Sequence, residues 1–339
     1  MLGTYDPKFV VIGGGTGIST ILRGLKRFSE EVTAIVTMAD DGGSSGILRR
    51  EYGMLPPGDV RNCLVALANA EPSLKKLLQY RFKEGDLKGQ NMGNLIITAL
   101  ADIYGGFAEG VSEAGDVLKI TGRVLPVTVE SIHLVARFSD GSEIEGESRI
   151  PDYAAERNLA IESIRLDTKE SHANAECVAA IEEADMIVLG PGSLYTSLIP
   201  NLLVPGIAEA IGHSKAPLVY VANIMEQRGE TVGMRLAEYL EALEAHGLKR
   251  QIDSLIVNDE EIDGGILDRY EEEEGVGPIR IGFDERKRFV ESGIAIEHGA
   301  FVITQEGYIR HDGLAVAQRL LSLCDRYREI HCKSTESEL

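Results

Sequence analysis

Only four cysteines occur in this chain, Cys63, Cys177, Cys324 and Cys332, and no two stand as a C-x-x-C pair. That spacing argues against a zinc site or a structural disulfide, and free thiols in a reducing compartment are the simplest expectation. Long apolar runs are missing too. The stretch around Ile187 to Leu189 is far short of the ~20 residues that span a bilayer. The first residues, MLGTYDPK, hold no apolar signal-like run, so the expected place is the cytoplasm, without membrane insertion. Positive charge is scarce: 34 Lys and Arg against 54 Asp and Glu leave a net charge of −20. A surface of that sign repels nucleic acid and anionic lipid. It also means that any bound phosphate must be held locally, by backbone N–H groups, a few cations or a metal ion. Hydrolase and metalloprotease signatures are absent: there is no H-E-x-x-H, no G-x-S-x-G and no cysteine with a histidine motif around it. The seven scattered histidines read as ordinary surface or core residues. There is no internal repeat and no low-complexity linker.

What is present is an ordinary globular composition, 44% hydrophobic and 26% charged over 339 residues, enough for one large domain or two. Phe9 to Ile12 reads as a buried strand, followed by a glycine-rich loop and a helix from about Ser19 to Phe28. Val32 to Met38 is the next strand. This order begins a parallel sheet with crossover helices. Asp59 to Ala70 and Asn94 to Ile103 read as helices on that sheet. From Leu125 to Glu147 apolar and polar residues alternate, and Asp140-Gly141 marks a hairpin turn. The expectation is an inserted antiparallel unit over 116–166, with the core made of 1–115 and 167–339. The α/β alternation resumes with a helix from His172 to Glu183 and a strand from Met186 to Leu189. Strands at Leu218 to Ala222 and Ser254 to Val257 flank a helix from about Val232 to Ala245. A last helix runs from Leu314 to Arg328, and the tail from Lys333 to Leu339 is expected to fray.

Three loops could carry chemistry. The first, Gly13-Gly14-Gly15-Thr16-Gly17, joins a strand to a helix, where glycines let a backbone approach an anion and the helix offers unpaired N–H groups. Its spacing matches neither the dinucleotide fingerprint nor a Walker loop, so it names no cofactor; a plain tight turn is the alternative. The second, from Asp40 and Asp41 to Gly46, sets two carboxylates after a strand. They suit Mg²⁺, ribose hydroxyls or a helix cap. Asp59 then stands at a helix start, where capping and ligand binding are equally open, and Arg61 follows as a cation for phosphate. The third, Gly190-Pro191-Gly192-Ser193 with Thr196 and Ser197, reads as an anion nest of hydroxyls and backbone N–H groups.

The ordered set GGGTG at Gly13, TMADDGGSSG at Thr37, LPPGDVRN at Leu55, GNLIITAL at Gly93, GPGSLYTSLIPNLLV at Gly190 and VANIMEQRGET at Val221 resembles the bacterial gluconeogenesis factor family. That family is related to the 2-phospholactate transferases that build the deazaflavin coenzyme. The resemblance covers nearly the whole chain. It implies an α/β fold, a Rossmann-like, mostly parallel sheet flanked by helices with a smaller inserted antiparallel β unit. It implies a UDP-sugar such as UDP-N-acetylglucosamine, or another dinucleotide-like ligand, in the sheet cleft. It further implies a role in growth on gluconeogenic carbon sources and in cell shape. Carried over by motif, the ligand contacts include Ser44, Asn94 and Asn223 beside the loop residues already named. Tyr270 would stack on a base and Arg310 would clamp a diphosphate. The transferase relatives use a nucleotide diphosphate with Mg²⁺, which Asp40 and Asp59 could bind here. The segment Asn223 to Gln227 follows the gluconeogenesis branch, for which the resemblance supplies no reaction. Some relatives carry a regulatory phosphorylated threonine near the C-terminus, where Gly313 stands in this chain. Two readings stay open, a UDP-sugar-binding regulator without turnover and a Mg²⁺-dependent 2-phospholactate-type transferase. A homo-oligomer is compatible with either.

Overall fold

The computed structural model describes residues 5–168, 170–305 and 307–337, without the side chains of residues 331 and 333–337. The start of the MLGTYDPK segment and the last two residues lie outside the described residues. The chain enters through β1 (Phe9–Gly13), whose five residues are all buried. It continues through α1 (Gly15–Leu25) into β2 (Val32–Val36), again buried throughout. Strands covered on both faces read as unbroken apolar runs, which is why both were visible in the sequence. On α1, Ile18, Ile21, Leu22 and Leu25 form the buried stripe of a 3.6-residue period.

A block of helices follows: α2 (Gly43–Tyr52), α3 (Gly58–Leu67), α4 (Pro72–Gln79), α5 (Met92–Tyr104) and α6 (Phe107–Leu118). The expected loop Asp40 to Gly46 is shorter than read, because Gly43 to Gly46 already belong to α2. Next comes β3 (Arg123–Pro126), which pairs in parallel with β2 at the sheet edge. The alternation from Leu125 was therefore read too far upstream. The antiparallel sheet starts at β4 (Leu134–Phe138), which pairs with β5 (Glu143–Glu145) and later β6 (Ile161–Leu166), with α7 (Arg149–Arg157) between them. The turn falls at Asp140-Gly141 as expected. Gly141 takes φ +82°, and the Asp140 carboxylate accepts from Ser142 N at 2.9 Å. Leu134, Ala136 and Phe138 face the core while Arg137 faces out, the period of a half-buried strand.

After α8 (Ala175–Glu182) the chain returns to the main sheet as β7 (Met186–Leu189), beside β1 on the side away from β2. The α8 start is set by Asn174, whose side chain accepts from Glu176 N, so the helix begins three residues after the expected His172. A short irregular turn, Leu194–Leu198, leads into α9 (Ile199–Leu203) and α10 (Ile207–His213). Then come β8 (Leu218–Val221), α11 (Leu236–Ala245), β9 (Ser254–Asn258), α12 (Gly264–Glu274), α13 (Phe283–Glu291) and β10 (Ala295–Gly299). A hairpin of β11 (Val302–Gln305) and β12 (Tyr308–His311) precedes α14 (Gly313–Ser337). The tail is thus helical as far as Ser337, nine residues beyond Arg328. The seven-stranded sheet is parallel throughout, in the order β10-β9-β8-β7-β1-β2-β3.

That order positions the site. From β1 the chain winds toward β2 and β3; from β7 it winds the other way, toward β8, β9 and β10. Between β1 and β7 the connections diverge, and a crevice opens at the carboxyl ends of the two strands. Among the described residues no single helix is long and apolar enough to cross a membrane.

Candidate functional site

A cleft of about 1080 Å³ lies at this divergence, and the loops after β1, β2, β7 and β8 all reach it. Gly14 caps α1 without any side-chain hydrogen bond. The Gly14 cap supplies no acceptor of its own, and the Gly15 N–H turns to the Asp59 carboxyl on α3. The glycines are demanded first by packing. A Cβ on Gly15 would collide with the backbone of Asp59, and one on Gly17 with the carbonyl of Pro191. A Cβ on Gly14 would stand 2.6 Å from Ser197 Oγ and 3.2 Å from Asp59 Oδ2, so hydroxyl and carboxyl converge on the helix end. Gly14, Gly15, Thr16 and Gly17 line the cleft, while Gly13 ends β1 behind it.

The third loop differs from the expected anion nest. Gly192 N donates to Asn223 Oδ1 at 3.0 Å, and Asn223 Nδ2 donates back to Gly192 O at 2.9 Å. Tyr195 N and Thr196 Oγ1 both donate to the carboxylate of Glu230, at 3.1 and 2.9 Å. Gln227 Nε2 donates to Ser193 Oγ at 2.6 Å. Gly192 N, Tyr195 N and Thr196 Oγ1 are thus spent inside the protein, and Ser193 Oγ accepts from Gln227. Gly192, Ser193, Ser197 and Asn223 still line the cleft, but Thr196 is turned onto Glu230 and Gly190, at φ +77°, supports the turn from behind. Burial raises the Glu230 carboxyl above its usual range, and the donors from Thr196, Tyr195 and Ser193 oppose that rise.

The two acidic residues after β2 separate. Asp40 lines the cleft and accepts from Gly42 N at 3.0 Å. Asp41 faces the inserted sheet and accepts from the backbone N–H groups of Glu147 and Ser148 at 3.0 and 2.9 Å. It fastens that unit to the core rather than lining the cleft. The unit in return delivers Glu147 to the cleft. Burial, then Asp40, Asp41, Asp59 and Glu230, push the Glu147 carboxyl up to about 8. Asp59, at the start of α3, is pushed up to about 6 by burial and by Asp40, against the Gly15 N–H and Arg61. Asp59 thus stands against the first turn of α1, with Asp40 beside the start of α3. No group of three or more His, Cys, Asp or Glu suited to a metal occurs among the described residues.

Around Arg61 a network of neutral polar groups forms, with Arg61 Nε left unpartnered. Arg61 Nη1 donates to Asn94 Oδ1 at 2.8 Å, Asn94 Nδ2 to Ser44 Oγ at 3.1 Å, and Ser44 Oγ to Gln90 Oε1 at 2.7 Å. Ser44 and Asn94 are buried, so their expected place in the cleft is as supports of Arg61. At the opposite end, Tyr270 belongs to a small cluster with Ile224, Val276 and Ile309, and its hydroxyl accepts from Ile309 N at 3.1 Å. Arg310 on β12 is exposed, with its guanidinium 5.4 Å from the Tyr308 ring centre. Asp312, two residues further along, caps α14 through Leu314 N and Ala315 N, which leaves Arg310 out of an ion pair. His311 Nε2 donates to Ala222 O at 3.0 Å, and burial pushes its pKa down to about 4. Gly313 packs its backbone against Thr20 and Gly24 of α1, so a side chain there would need α1 to move.

Glu147, Arg81, Gln227 and His311 line the cleft but were not singled out from sequence. No local motif marks them; only the register of the inserted sheet, the Arg81–Asn91 bridge and the packing of the β11–β12 hairpin bring them in.

The comparisons agree with this architecture. The family described as 2-phospho-L-lactate transferase CofD matches residues 9–301. A relative from Thermoanaerobacterium thermosulfurigenes is 48% identical over 319 residues, 94% of this chain and 97% of its own. The gluconeogenesis factor of Bacillus subtilis is 42% identical over 318 residues, 94% of this chain and 98% of its own. A Bacillus halodurans protein solved by crystallography superposes with a TM-score of 0.88 at 43% identity, covering 94% of this chain and 100% of that one.

Proposed function

The chain belongs to the CofD family and, within it, to the gluconeogenesis factors, and from that premise we propose that it is a cytoplasmic nucleotide-sugar-binding regulator of growth and cell shape on gluconeogenic carbon sources. The observation that carries the reading is the N-terminus of α1, where Gly14 supplies no side-chain cap and the Gly15 N–H meets the Asp59 carboxyl, opening into the cleft at the divergence between β1 and β7. Backbone N–H groups and a helix dipole hold phosphate without net positive charge, which suits a protein of charge −20. In this reading the diphosphate of a UDP-sugar lies between the Gly14–Gly17 turn and the wall at Gly192–Ser197. Arg310 clamps it from the side, Tyr270 meets the base, and Asp40, Asp59 and Glu147 accept from sugar hydroxyls.

A second reading is favoured by one observation, the raised carboxyl of Asp59 beside Asp40. A 2-phospholactate-type transferase would place Mg²⁺ there, and two carboxylates without a third ligand suit Mg²⁺, which completes its shell with water and phosphate oxygens. The ion would offset phosphate charge and polarise the reacting phosphoryl group. Asp59 and Asp40 would hold it, and Arg61 would stand by for charge on the leaving side. Calorimetry with UDP-N-acetylglucosamine, with and without Mg²⁺, and a check for released UDP decide between the two. Metal-independent binding without turnover is the expected result. Steady release of UDP would replace the regulator with an enzyme, and no binding would remove the nucleotide-sugar reading.

A further inference from the structure

Five arginines line the cleft: Arg23, Arg27, Arg61, Arg81 and Arg310. The chain has 54 acidic residues against 34 basic ones, yet none of the five forms a salt bridge among the described residues. Arginines elsewhere pair readily; Arg319 and Arg326 both bind Glu297. None of the five cations is tied to a carboxylate by direct contact, although Asp40, Asp59, Glu147 and Glu226 line the same cleft, so each guanidinium keeps donors for an anion.

Two of these arginines belong to elements far from Tyr270 and Arg310. Arg61, in the first turn of α3, is held by neutral acceptors only, Asn94 Oδ1 and Asn62 Oδ1, each at 2.8 Å. Its Nε is buried without any partner. Gly93 of α5 lies so close that a Cβ there would stand 2.8 Å from Arg61 Cδ, which confines the side chain to one path. Arg81 is positioned by its bond to Gly89 O at 2.6 Å and by the antiparallel bridge between Arg81 and Asn91. Two guanidinium groups that line one cleft, neither in an ion pair, are a standing cost to the empty protein. A dianion placed between them removes it.

We infer that Arg61 and Arg81 form a second anion subsite of the cleft, which takes the phosphate of a small phosphomonoester while the nucleotide occupies the Tyr270–Arg310 end. A phosphomonoester carries about −1.5 to −2 charge near neutrality and offers three acceptor oxygens, enough for two guanidinium groups. A single carboxylate would satisfy one of them. The space also fits: the cleft measures about 1080 Å³, above the roughly 300–1,000 Å³ usual for one drug-sized ligand. Asn62 and Asn94 line the same end and supply the polar surroundings such a molecule requires. The inference rests on the nucleotide reading only in calling this subsite the second.

The test is calorimetry of the full chain with inorganic phosphate and glycerol 3-phosphate, alone and after saturation with UDP-N-acetylglucosamine. Both probes bind in both conditions. Arg61→Gln and Arg81→Gln each weaken them by about tenfold or more, as loss of a charge-assisted bond set should. Arg310→Ala weakens the nucleotide sugar more than it weakens either probe. Arg81 is exposed, so its variant serves if Arg61→Gln folds poorly. Competition between UDP-N-acetylglucosamine and glycerol 3-phosphate overturns the inference, because it puts both arginines at the diphosphate. So does unchanged probe affinity in Arg81→Gln, or no binding of either probe at millimolar concentration. If UDP-N-acetylglucosamine itself fails to bind, the nucleotide reading falls, and the dependence of phosphate on Arg61 and Arg81 still decides this one.

Discussion

The loops after β1 and β7 are alike in sequence and opposite in use. Both follow buried parallel strands, both are rich in glycine and hydroxyls, and they pack against each other across the divergence of the sheet. The loop after β1 meets a helix capped by Gly14, with one side chain on its N–H groups, that of Asp59 at Gly15. The loop after β7 is closed by Asn223 and Glu230, which accept from Gly192 N, Tyr195 N and Thr196 Oγ1, and by Gln227, which donates to Ser193 Oγ. The first lines the cleft with Gly14 to Gly17; the second is held mainly by the protein's own side chains. A glycine-rich turn thus reports that backbone comes close to something, and the neighbours decide whether that something is a ligand or the protein itself.

The sharpest way to break this contrast is at the contact between the two loops. Gly17→Ala should cost about 3 kcal/mol of stability and abolish nucleotide binding, since its Cβ collides with the Pro191 carbonyl. Gly192→Ala, whose Cβ would meet Ser197 Cβ at an ordinary 3.4 Å, should be tolerated. Denaturant titration of both variants checks this; equal losses would mean that the loops do not differ in constraint.

Arg310→Ala acts on the ligand side. It should lower UDP-N-acetylglucosamine affinity roughly ten- to hundredfold, about 1.5–3 kcal/mol, with the melting temperature unchanged. Calorimetry beside a melting curve separates the two quantities, and unchanged affinity would remove Arg310 from the site.

Glu230→Ala probes the wall. Tyr195 N and Thr196 Oγ1 lose their acceptor, a loss of about 2 kcal/mol for buried donors left unpaired. Stability should fall while nucleotide affinity stays within a few-fold. A large affinity loss at normal stability would instead make the third loop a direct ligand contact.

The smallest effect concerns pH. The Glu147 carboxyl is pushed up to about 8 by burial and by Asp40, Asp41, Asp59 and Glu230, from roughly 4.3 in the unfolded chain. Between those values the folded state binds more protons than the unfolded state, so stability falls as pH rises. Glu147→Gln should remove that part of the slope. Its advantage is absent below about pH 4.5, grows through neutrality and levels off above about pH 8. Melting temperatures from pH 4 to 9 should show a gain of a few degrees at the alkaline end. Parallel curves for the two proteins would mean that Glu147 does not sit among the carboxylates in solution.

Much of the fold could be read before any coordinates. Phe9 to Ile12, Val32 to Val36 and Met186 to Leu189 are apolar runs because strands covered on both faces carry no polar side. The Asp140-Gly141 turn was visible because a tight hairpin needs a residue at positive φ. Arg123 to Pro126 was misplaced because four residues, three of them buried in a row, are too few to show a period that separates a parallel sheet edge from a hairpin; only the parallel register with β2 separates them. The strands β10, β11 and β12 were passed over, since their half-exposed residues lack a strong period. Of the cleft lining, Gly14, Gly15, Gly17, Gly192, Asp40, Asp59 and Arg61 were legible from loop position. Glu147 and Arg81 were not, because each reaches the cleft through pairings that no nearby motif announces.

By itself, then, the order of apolar runs and glycine-rich turns determined a parallel sheet with loops gathered at its carboxyl edge, and the ordered motifs determined the family. Local pattern is enough for that, because strand burial and turn conformation depend on residues close in the chain. Which loop keeps its N–H groups available was decided only in three dimensions. The acceptors that close the loop after β7 come from Asn223 and Glu230, 31 and 35 residues further along. Asp41 reaches 106 residues ahead to fasten the inserted sheet and so bring Glu147 to the cleft. Hydrogen bonds and charge coupling fall off within a few ångströms, so their outcome follows spatial neighbours, and those neighbours exist only once the sheet has closed.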